Sequence, residues 1–238
     1  MLGGGGHTRE CRALSATFAG MLRSVALVLR LQIRLEWLQR QSYFSLLIYV
    51  LSTGYLTYLV FGGTMGLKTW NAIFWVIFLF AAVQAAYRSF YFEAERRFLL
   101  YYGWVPVRSL ILGKMAYHFL YLLLLGLFTA GFLGFLLGPE LADWSAFVVI
   151  VALASAGFSG VLTFTAGLAA KAGSNPALPA ILSIPLLYPQ VVTLSRVSNE
   201  ALTGFSWELN APLLAVLALL GLLSAALALL LFPYLWRD

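Results

Sequence analysis

The sequence predicts an all-α integral membrane protein that crosses the bilayer six times and carries an amphipathic helix near its N-terminus. Of its 238 residues, 62% are hydrophobic and only 10% are charged, and the mean hydropathy is +0.89. Soluble domains are about 45–50% apolar and about 25% charged. This composition excludes a soluble enzyme and a disordered chain. It also excludes a disulfide scaffold, because the single cysteine, Cys11, has no partner within the chain.

The charged residues leave six long uncharged runs, which continuous apolarity distinguishes from the alternating strands of a barrel. About 20 apolar residues, at 1.5 Å rise each, cross a hydrocarbon core of about 30 Å, so each run predicts one transmembrane helix. We expect the spans near residues 43–61, 70–88, 113–137, 144–170, 177–195 and 211–235.

The N-terminal segment and the distribution of basic residues predict the domain organisation and the orientation. Residues 1–20 contain the glycine run Gly3–Gly6 and no apolar stretch typical of a secretory signal, so we expect a disordered extension followed by one six-span domain, 21–238. Among the 15 Lys and Arg residues, only Lys68 and Arg196 fall on the side opposite the termini. The positive-inside rule therefore predicts that both termini are cytoplasmic.

Residues 21–41 combine apolar residues at helical spacing with interleaved arginines. This pattern predicts a basic amphipathic helix that lies in the cytoplasmic leaflet, and we call it the elbow helix. Its most informative residues are Arg34, Glu36, Trp37 and Arg40. Two interpretations stay open: a fixed anchor that sets the entry angle of the first span, or an elbow that moves with that span.

The segment between spans two and three is charged and aromatic. Glu93 and Arg97 are four residues apart and can pair on one helical turn, while Gly103 and Pro106 are typical of a helix end and a restart. We expect a short surface helix that docks a cytoplasmic partner, and the alternative is a solvated loop. The docking candidates are Glu93, Glu95, Arg96, Arg97, Tyr101 and Tyr102.

The chain lacks the motifs of catalysis and of ion transport. Gly113-Lys114 is followed by Met115 and has no glycine at the spacing of a phosphate-binding loop. No Cys or His pair has metal-ligand spacing, and the spans carry no Asp or Glu for proton transfer. We therefore expect no enzymatic activity, no metal, no resident cofactor and no nucleic-acid partner, and any energy source must be another chain. His118 is either a haem contact or a hydrogen bond to a neighbouring helix.

Small residues predict where helices pack. They recur every four residues along span three, which gives a groove for a close helix neighbour. We call this set the helix-packing seam, and it could serve one subunit or two copies. Its members are Gly126, Ala130, Gly134 and Gly138.

Two further patterns concern spans four and five. Ser155, Ser159 and Thr163 form one stripe, which predicts interhelical hydrogen bonds. Four prolines from Pro176 to Pro189 interrupt span five, and this irregularity is typical either of a gate that lines a substrate path or of a bent packing helix.

An ordered set of segments resembles the permease subunit of the haem-exporter ABC transporter of cytochrome c maturation. The resemblance covers about residues 22–200. It is carried by Leu35–Arg40, Tyr49–Thr53, Trp70–Trp75, Arg97–Tyr102, Pro106, Ile111–Tyr117, Gly157–Thr163, Ala170–Ser174 and Ile181–Pro185.

The resemblance implies a non-enzymatic permease of the six-span ABC-exporter type in the bacterial inner membrane. It implies a second copy of the chain, a separate cytoplasmic ATPase that docks around Glu93–Arg97, a haem-handling membrane subunit and a periplasmic haem chaperone. ATP hydrolysis would drive release of the haem-loaded chaperone, with haem as a substrate of the complex. Two alternatives stay open: an exporter permease for another amphipathic substrate, and a scaffold for a haem-handling partner that transports nothing.

Overall fold

The computed structural model describes residues 23–34, 40–95, 107–138, 142–171 and 178–235. Within these ranges the secondary structure is helical, with short turns and no strand. Residues 23–34 form α1. The long helices are α2 (Arg40–Phe61), α3 (Leu67–Glu95), α4 (Val107–Leu137), α5 (Trp144–Lys171), α6 (Leu178–Thr203) and α7 (Trp207–Leu235).

Six helices, α2 to α7, are long and apolar enough to cross a membrane, which confirms the predicted all-α membrane fold. Their apolar spans are 44–61, 67–86, 108–137, 144–169, 180–203 and 207–232. Span three begins at Arg108 instead of 113, and span five continues past Arg196 to Thr203, so both are longer than predicted. A charge near the end of a membrane helix does not end the helix, since a long side chain can reach a polar partner or the interface.

The core of the bundle is organised around α5. It packs against α3, α4, α6 and α7, and 67% of its span is buried, compared with 17% for α2 and for α7. The helices α2 and α7 therefore leave most of their surface outside the bundle, whereas α5 contributes mainly to internal packing.

Aromatic side chains join α3 to α5. Trp70, Phe74 and Phe78 stack along one face of α3, with ring centroids 5.7 and 6.0 Å apart. Phe147 and Phe158 of α5 contact this stack at 5.1 and 5.7 Å. All five rings are fully buried, so the interface combines a large apolar area with favourable ring geometry.

Asp143 caps the N-terminus of α5. Its Oδ1 accepts hydrogen bonds from the Ala146 amide at 3.0 Å and from the Ser145 hydroxyl at 2.7 Å. These bonds favour the carboxylate and lower the pKa of Asp143. The Asp143 amide donates to the Ala201 carbonyl at 3.1 Å, so the cap also connects the start of α5 to the end of α6.

Candidate functional site

The elbow helix α1 packs closely against the N-terminal part of α4. Val28 and Gln32, one turn apart, are 3% and 1% exposed. The contact falls at Gly113, where a Cβ atom would lie 2.6 Å from Val28 Cγ1 and 3.3 Å from the Val25 carbonyl oxygen. Because β-branched valine has little rotamer freedom, this approach requires glycine in α4.

The four elbow residues selected from the sequence do not lie together on α1. Arg34 is exposed at the end of described α1, and Arg40 is the first residue of α2. Glu36 and Trp37 lie outside the described residues.

The remaining surface of α1 is apolar and open. Leu27, Leu31 and Ile33 are 66%, 44% and 46% exposed, and Arg30 is also exposed. This mixture suits a helix that lies in the membrane interface, with α4 under one face.

The segment predicted to dock a partner, Glu93–Tyr102, which we call the docking segment, begins as a continuation of α3. Glu93 and Glu95 lie in the last turn of that helix, beyond the predicted end of span two at 88. Arg96, Arg97, Tyr101 and Tyr102 lie outside the described residues, and α4 begins at Val107. The segment therefore connects α3 to the helix on which α1 packs.

His118 joins α4 to α5. Its ring is 2% exposed, and Nδ1 forms a 2.8 Å hydrogen bond with Thr163 Oγ1. Lys114, one turn earlier on α4, is equally buried. Ionisable side chains buried inside a membrane bundle are rare and often functional, so this pair is one candidate site.

The seam residues of α4 occupy different environments. A Cβ atom at Gly126 would lie 2.7 Å from Val151 Cγ1 and 3.0 Å from Phe78 Cε2, and Ala130 is 1% exposed. Gly134 is less crowded, since its nearest neighbour atom, on Trp144, would be at 3.5 Å.

Gly138 differs from the other members of the helix-packing seam. It lies just beyond α4 with φ +57°, and no atom lies within 4 Å of where its Cβ would be. Its amide donates to the Gly134 carbonyl at 3.0 Å. Gly138 therefore ends α4 in a left-handed conformation rather than packing against another helix.

Another close helix contact joins α5 and α7. A Cβ atom at Gly160 would lie 2.7 Å from Ser224 Oγ and 3.1 Å from the Ala225 amide nitrogen. One at Gly221 would lie 3.4 Å from the Gly157 Cα. Sequence spacing does indicate this contact, because Ala152, Ala156 and Gly160 recur every four residues along span four and predict close helix packing there. Gly160 is the member of this repeat that contacts α7.

The polar stripe on α5 makes fewer interhelical bonds than predicted. Ser155 donates to the Val151 carbonyl at 2.8 Å and Ser159 to the Ala156 carbonyl at 2.8 Å, both within α5. The prediction of interhelical hydrogen bonds is therefore wrong for the two serines, because a short hydroxyl can bond the preceding turn of its own helix. Thr163 makes the expected interhelical bond.

Two hydrogen bonds connect α3 to the C-terminal half of α6. Trp75 Nε1 donates to Ser198 Oγ at 2.8 Å, and Asn71 Nδ2 donates to the Ser195 carbonyl at 3.3 Å. Nothing along the chain predicts this contact, because partners more than 120 residues apart leave no local pattern.

A cavity of about 300 Å³ lies between α5, α6 and α7, beside the prolines of α6. Pro185 and Pro189 line it, and each removes an amide hydrogen from the helix. Leu223, Leu227 and Leu231 of α7 also line it and are 58%, 38% and 43% exposed, so the cavity opens to the outside of the bundle.

Gln190 and Ser224 supply the polar side chains of this cavity. Gln190 is 3% exposed, and its buried Oε1 has no hydrogen-bond partner among the described residues. Ser224 Oγ lies 2.8 Å from the Gly221 carbonyl and 3.2 Å from the Gly157 carbonyl, so its single proton is already used. The cavity is a second candidate site, with hydrogen-bonding capacity inside an apolar wall.

Comparison with known proteins links this bundle to one family. A family model described as CcmB protein matches residues 23–234. No curated protein matches the chain. In the described ranges, no group of three His, Cys, Asp or Glu side chains could hold a metal ion.

Proposed function

This chain belongs to the CcmB protein family, and on that premise we propose how it works as the permease subunit of a haem exporter in cytochrome c maturation. In the proposal, the chain itself hydrolyses no nucleotide. A separate cytoplasmic ATPase subunit drives movements of the six spans, and these movements release a haem-loaded chaperone on the opposite side.

The observation that carries the proposal is the extent of the family match. It begins in the elbow helix α1 and ends in the last turns of α7, so it includes every helix of the bundle. The whole permease fold, rather than one shared motif, supports the assignment.

The packing of α1 on α4 supports a mechanical role for the docking segment. Residues 96–106 connect α3 to α4, and the contact at Gly113 lies two turns into α4. A force applied by a partner at Glu93–Tyr102 would therefore reach α4 and, through Val28, the elbow helix. We favour the moving elbow over the fixed anchor for this reason.

The proposed assembly contains a second copy of this chain, the ATPase subunit, a haem-handling membrane subunit and a periplasmic haem chaperone. The chain lies in the bacterial inner membrane with both termini in the cytoplasm. The excess of basic residues on the terminal side supports this orientation.

Alanine substitution of Glu93, Arg96 and Arg97 together tests the docking role. We expect the triple variant to reach the membrane normally but to lose most of the co-purifying ATPase, because charge-assisted contacts to a partner are removed. The matched control replaces Lys68 and Arg196, which the proposal places on the opposite side, with alanine. Undiminished ATPase recruitment by the triple variant would contradict the docking role.

ATP-dependent release of the chaperone, measured in the same membranes, distinguishes a permease from a scaffold. A coupled permease requires that ATP addition to the complete complex releases the haem-loaded chaperone and that the triple variant abolishes this release. A scaffold predicts equal release with and without ATP, while assembly of the haem-handling partner still depends on this chain.

A further inference from the structure

We propose that the cavity between α5, α6 and α7 binds a neutral aliphatic alcohol, whose hydroxyl group bonds to Gln190 and whose chain lies along the leucines of α7. This site is separate from the docking segment and does not depend on the ATPase. Three features support it: the depth of the cavity, its polar groups and the uncharged character of its lining.

The polar end of the cavity lies near the middle of the bilayer. A Cβ atom at Gly157 would be 2.6 Å from Gln190 Oε1, and Gly157 is the fourteenth of the 28 residues of α5. An ionised headgroup at this depth is strongly disfavoured, which excludes the phosphate of a phospholipid as the group that meets Gln190. A neutral polar group is the compatible choice.

The hydrogen-bonding groups of the site match a hydroxyl. The buried amide oxygen of Gln190 needs a donor, and Ser224 Oγ can only accept once its proton is shared with helix carbonyls. Pro189 has no amide hydrogen, so the Pro185 carbonyl receives no bond from it. A hydroxyl donates one hydrogen bond and accepts others, so it fits the Gln190 amide in either orientation of its oxygen and nitrogen.

The remainder of the cavity suits a hydrocarbon chain. Its other lining side chains are apolar, and on α7 they extend from Leu220 to Leu231, about 16 Å along the helix at 1.5 Å per residue. A volume of about 300 Å³ is at the lower end of the range for ligand pockets and about twice that of an engineered cavity of about 150 Å³ that binds benzene. An alcohol of about ten carbons matches both dimensions.

Photolabelling in membranes that contain the full-length chain tests the proposal. The probe is 1-decanol with a diazirine in its chain, and the matched probes are the same diazirine decane without the hydroxyl and the same diazirine decanoate. Labelled peptides are located by mass spectrometry. We expect the alcohol to label α6 and α7 residues of the cavity at least threefold more than either matched probe.

Three variants separate the hydroxyl contact from simple access. Gln190→Leu keeps the side-chain volume and removes the amide, so alcohol labelling should fall about threefold to tenfold, towards the level of the alkane. Leu223→Trp narrows the lipid-facing opening and should reduce labelling by the alcohol and the alkane alike. Leu219→Trp, on an exposed residue one turn away that does not line the cavity, is the control and should leave labelling unchanged.

Several results would overturn the proposal. Equal labelling by the alcohol and the alkane would mean ordinary contact with lipid chains, and stronger labelling by the decanoate would mean a site for anions. No labelled cavity residue with any probe would mean that the space is closed or holds only water. If Gln190→Leu fails to reach the membrane, the parent chain and Leu223→Trp still test the proposal. A ratio of alcohol to alkane labelling near one in the parent chain, or undiminished labelling in Leu223→Trp, would contradict it.

Discussion

The buried position of His118 between two helices limits the roles that its side chain can have. Its ring lies between α4 and α5, and Nδ1 is engaged with Thr163 Oγ1 at 2.8 Å. A histidine in this position stabilises the packing of two helices, and its role as a haem contact stays a prediction.

We expect His118→Ala to lower the free energy of unfolding in mixed micelles by about 1–2 kcal/mol, because one interhelical hydrogen bond and part of the packing are lost. Thr163→Val should lower the free energy of unfolding by less than His118→Ala does. The loss in the double variant should be smaller than the sum of the two single losses, because both variants remove the same hydrogen bond. The haem absorbance of the purified complex is measured in parallel. Loss of haem in His118→Ala but not in Thr163→Val would assign His118 to the haem site instead.

Asp143, at the start of α5, makes a pH-dependent contribution to the stability of the folded protein. Its pKa is lowered by the Ala146 amide and the Ser145 hydroxyl, so the ionised form is favoured in the folded protein. A group whose folded pKa is depressed stabilises the fold above its ordinary pKa of about 3.9, and this contribution is lost as the pH falls through the folded pKa.

Asp143→Asn retains a residue that caps helices well but removes the titration. We expect the melting temperature of the parent chain to fall more steeply than that of Asp143→Asn between about pH 5 and pH 3. The measurement is thermal unfolding of both proteins across this range. Parallel curves would show that the cap does not depend on the charge of Asp143.

At the scale of elements, the contact between α1 and α4 is the one that the proposed mechanism needs most. Val28 meets α4 where Gly113 has no side chain, and the contact lies just beyond the docking segment in the chain. Any side chain at 113 must displace α1, since valine cannot rotate away without strain.

We expect Gly113→Ala to destabilise the chain by about 1–3 kcal/mol through overpacking and to increase the distance between spin labels on α1 and α4. The control is Gly131→Ala on the same helix, where no atom lies within 4 Å of the added methyl group. That variant should be neutral or stabilising by up to about 1 kcal/mol, because alanine favours a helix over glycine. Equal behaviour of the two variants would exclude a tight contact at Gly113.

The two halves of α6 differ in how firmly hydrogen bonds hold them in place. Its C-terminal half is held by bonds from Trp75, Asn71 and Asp143, whereas Pro185 and Pro189 weaken the half that borders the cavity. This asymmetry concentrates bending at the prolines, next to the proposed alcohol site.

At the scale of the molecule, the charge distribution and the bundle together predict one orientation in the membrane. The turn between α2 and α3 and the start of α7 lie at the end of the bundle opposite α1, because successive spans alternate in direction. With cytoplasmic termini, both of these points face the periplasm.

Single cysteines in a Cys11→Ser background test this orientation. We expect Thr64→Cys and Glu208→Cys, both exposed, to react with a membrane-impermeant maleimide in cells whose outer membrane alone is permeable. Arg23→Cys should react only after the inner membrane is disrupted. The reverse pattern would invert the topology and with it the proposed side of ATPase docking.

Most of the fold could be predicted from local features of the chain. Six uncharged runs set the number of spans, since any segment of this length and apolarity must form a helix in lipid to satisfy its own backbone. The basic amphipathic pattern of α1 and the resemblance to the haem-exporter permease could also be recognised along the chain, and the family match confirms that resemblance.

The tertiary structure decided which of the residues selected from the sequence lie close together. Repeats of four indicated Gly126 and Gly138 equally, yet one packs against α3 and α5 while the other ends its helix. Gln190 could be recognised in the sequence as one of few polar residues within the spans. That its amide oxygen has no hydrogen-bond partner among the described residues could not be predicted, because this depends on what surrounds the group and not on its neighbours in the chain. Apolarity and charge fix the number and direction of the helices, whereas contacts between distant helices depend on how side chains fit in three dimensions.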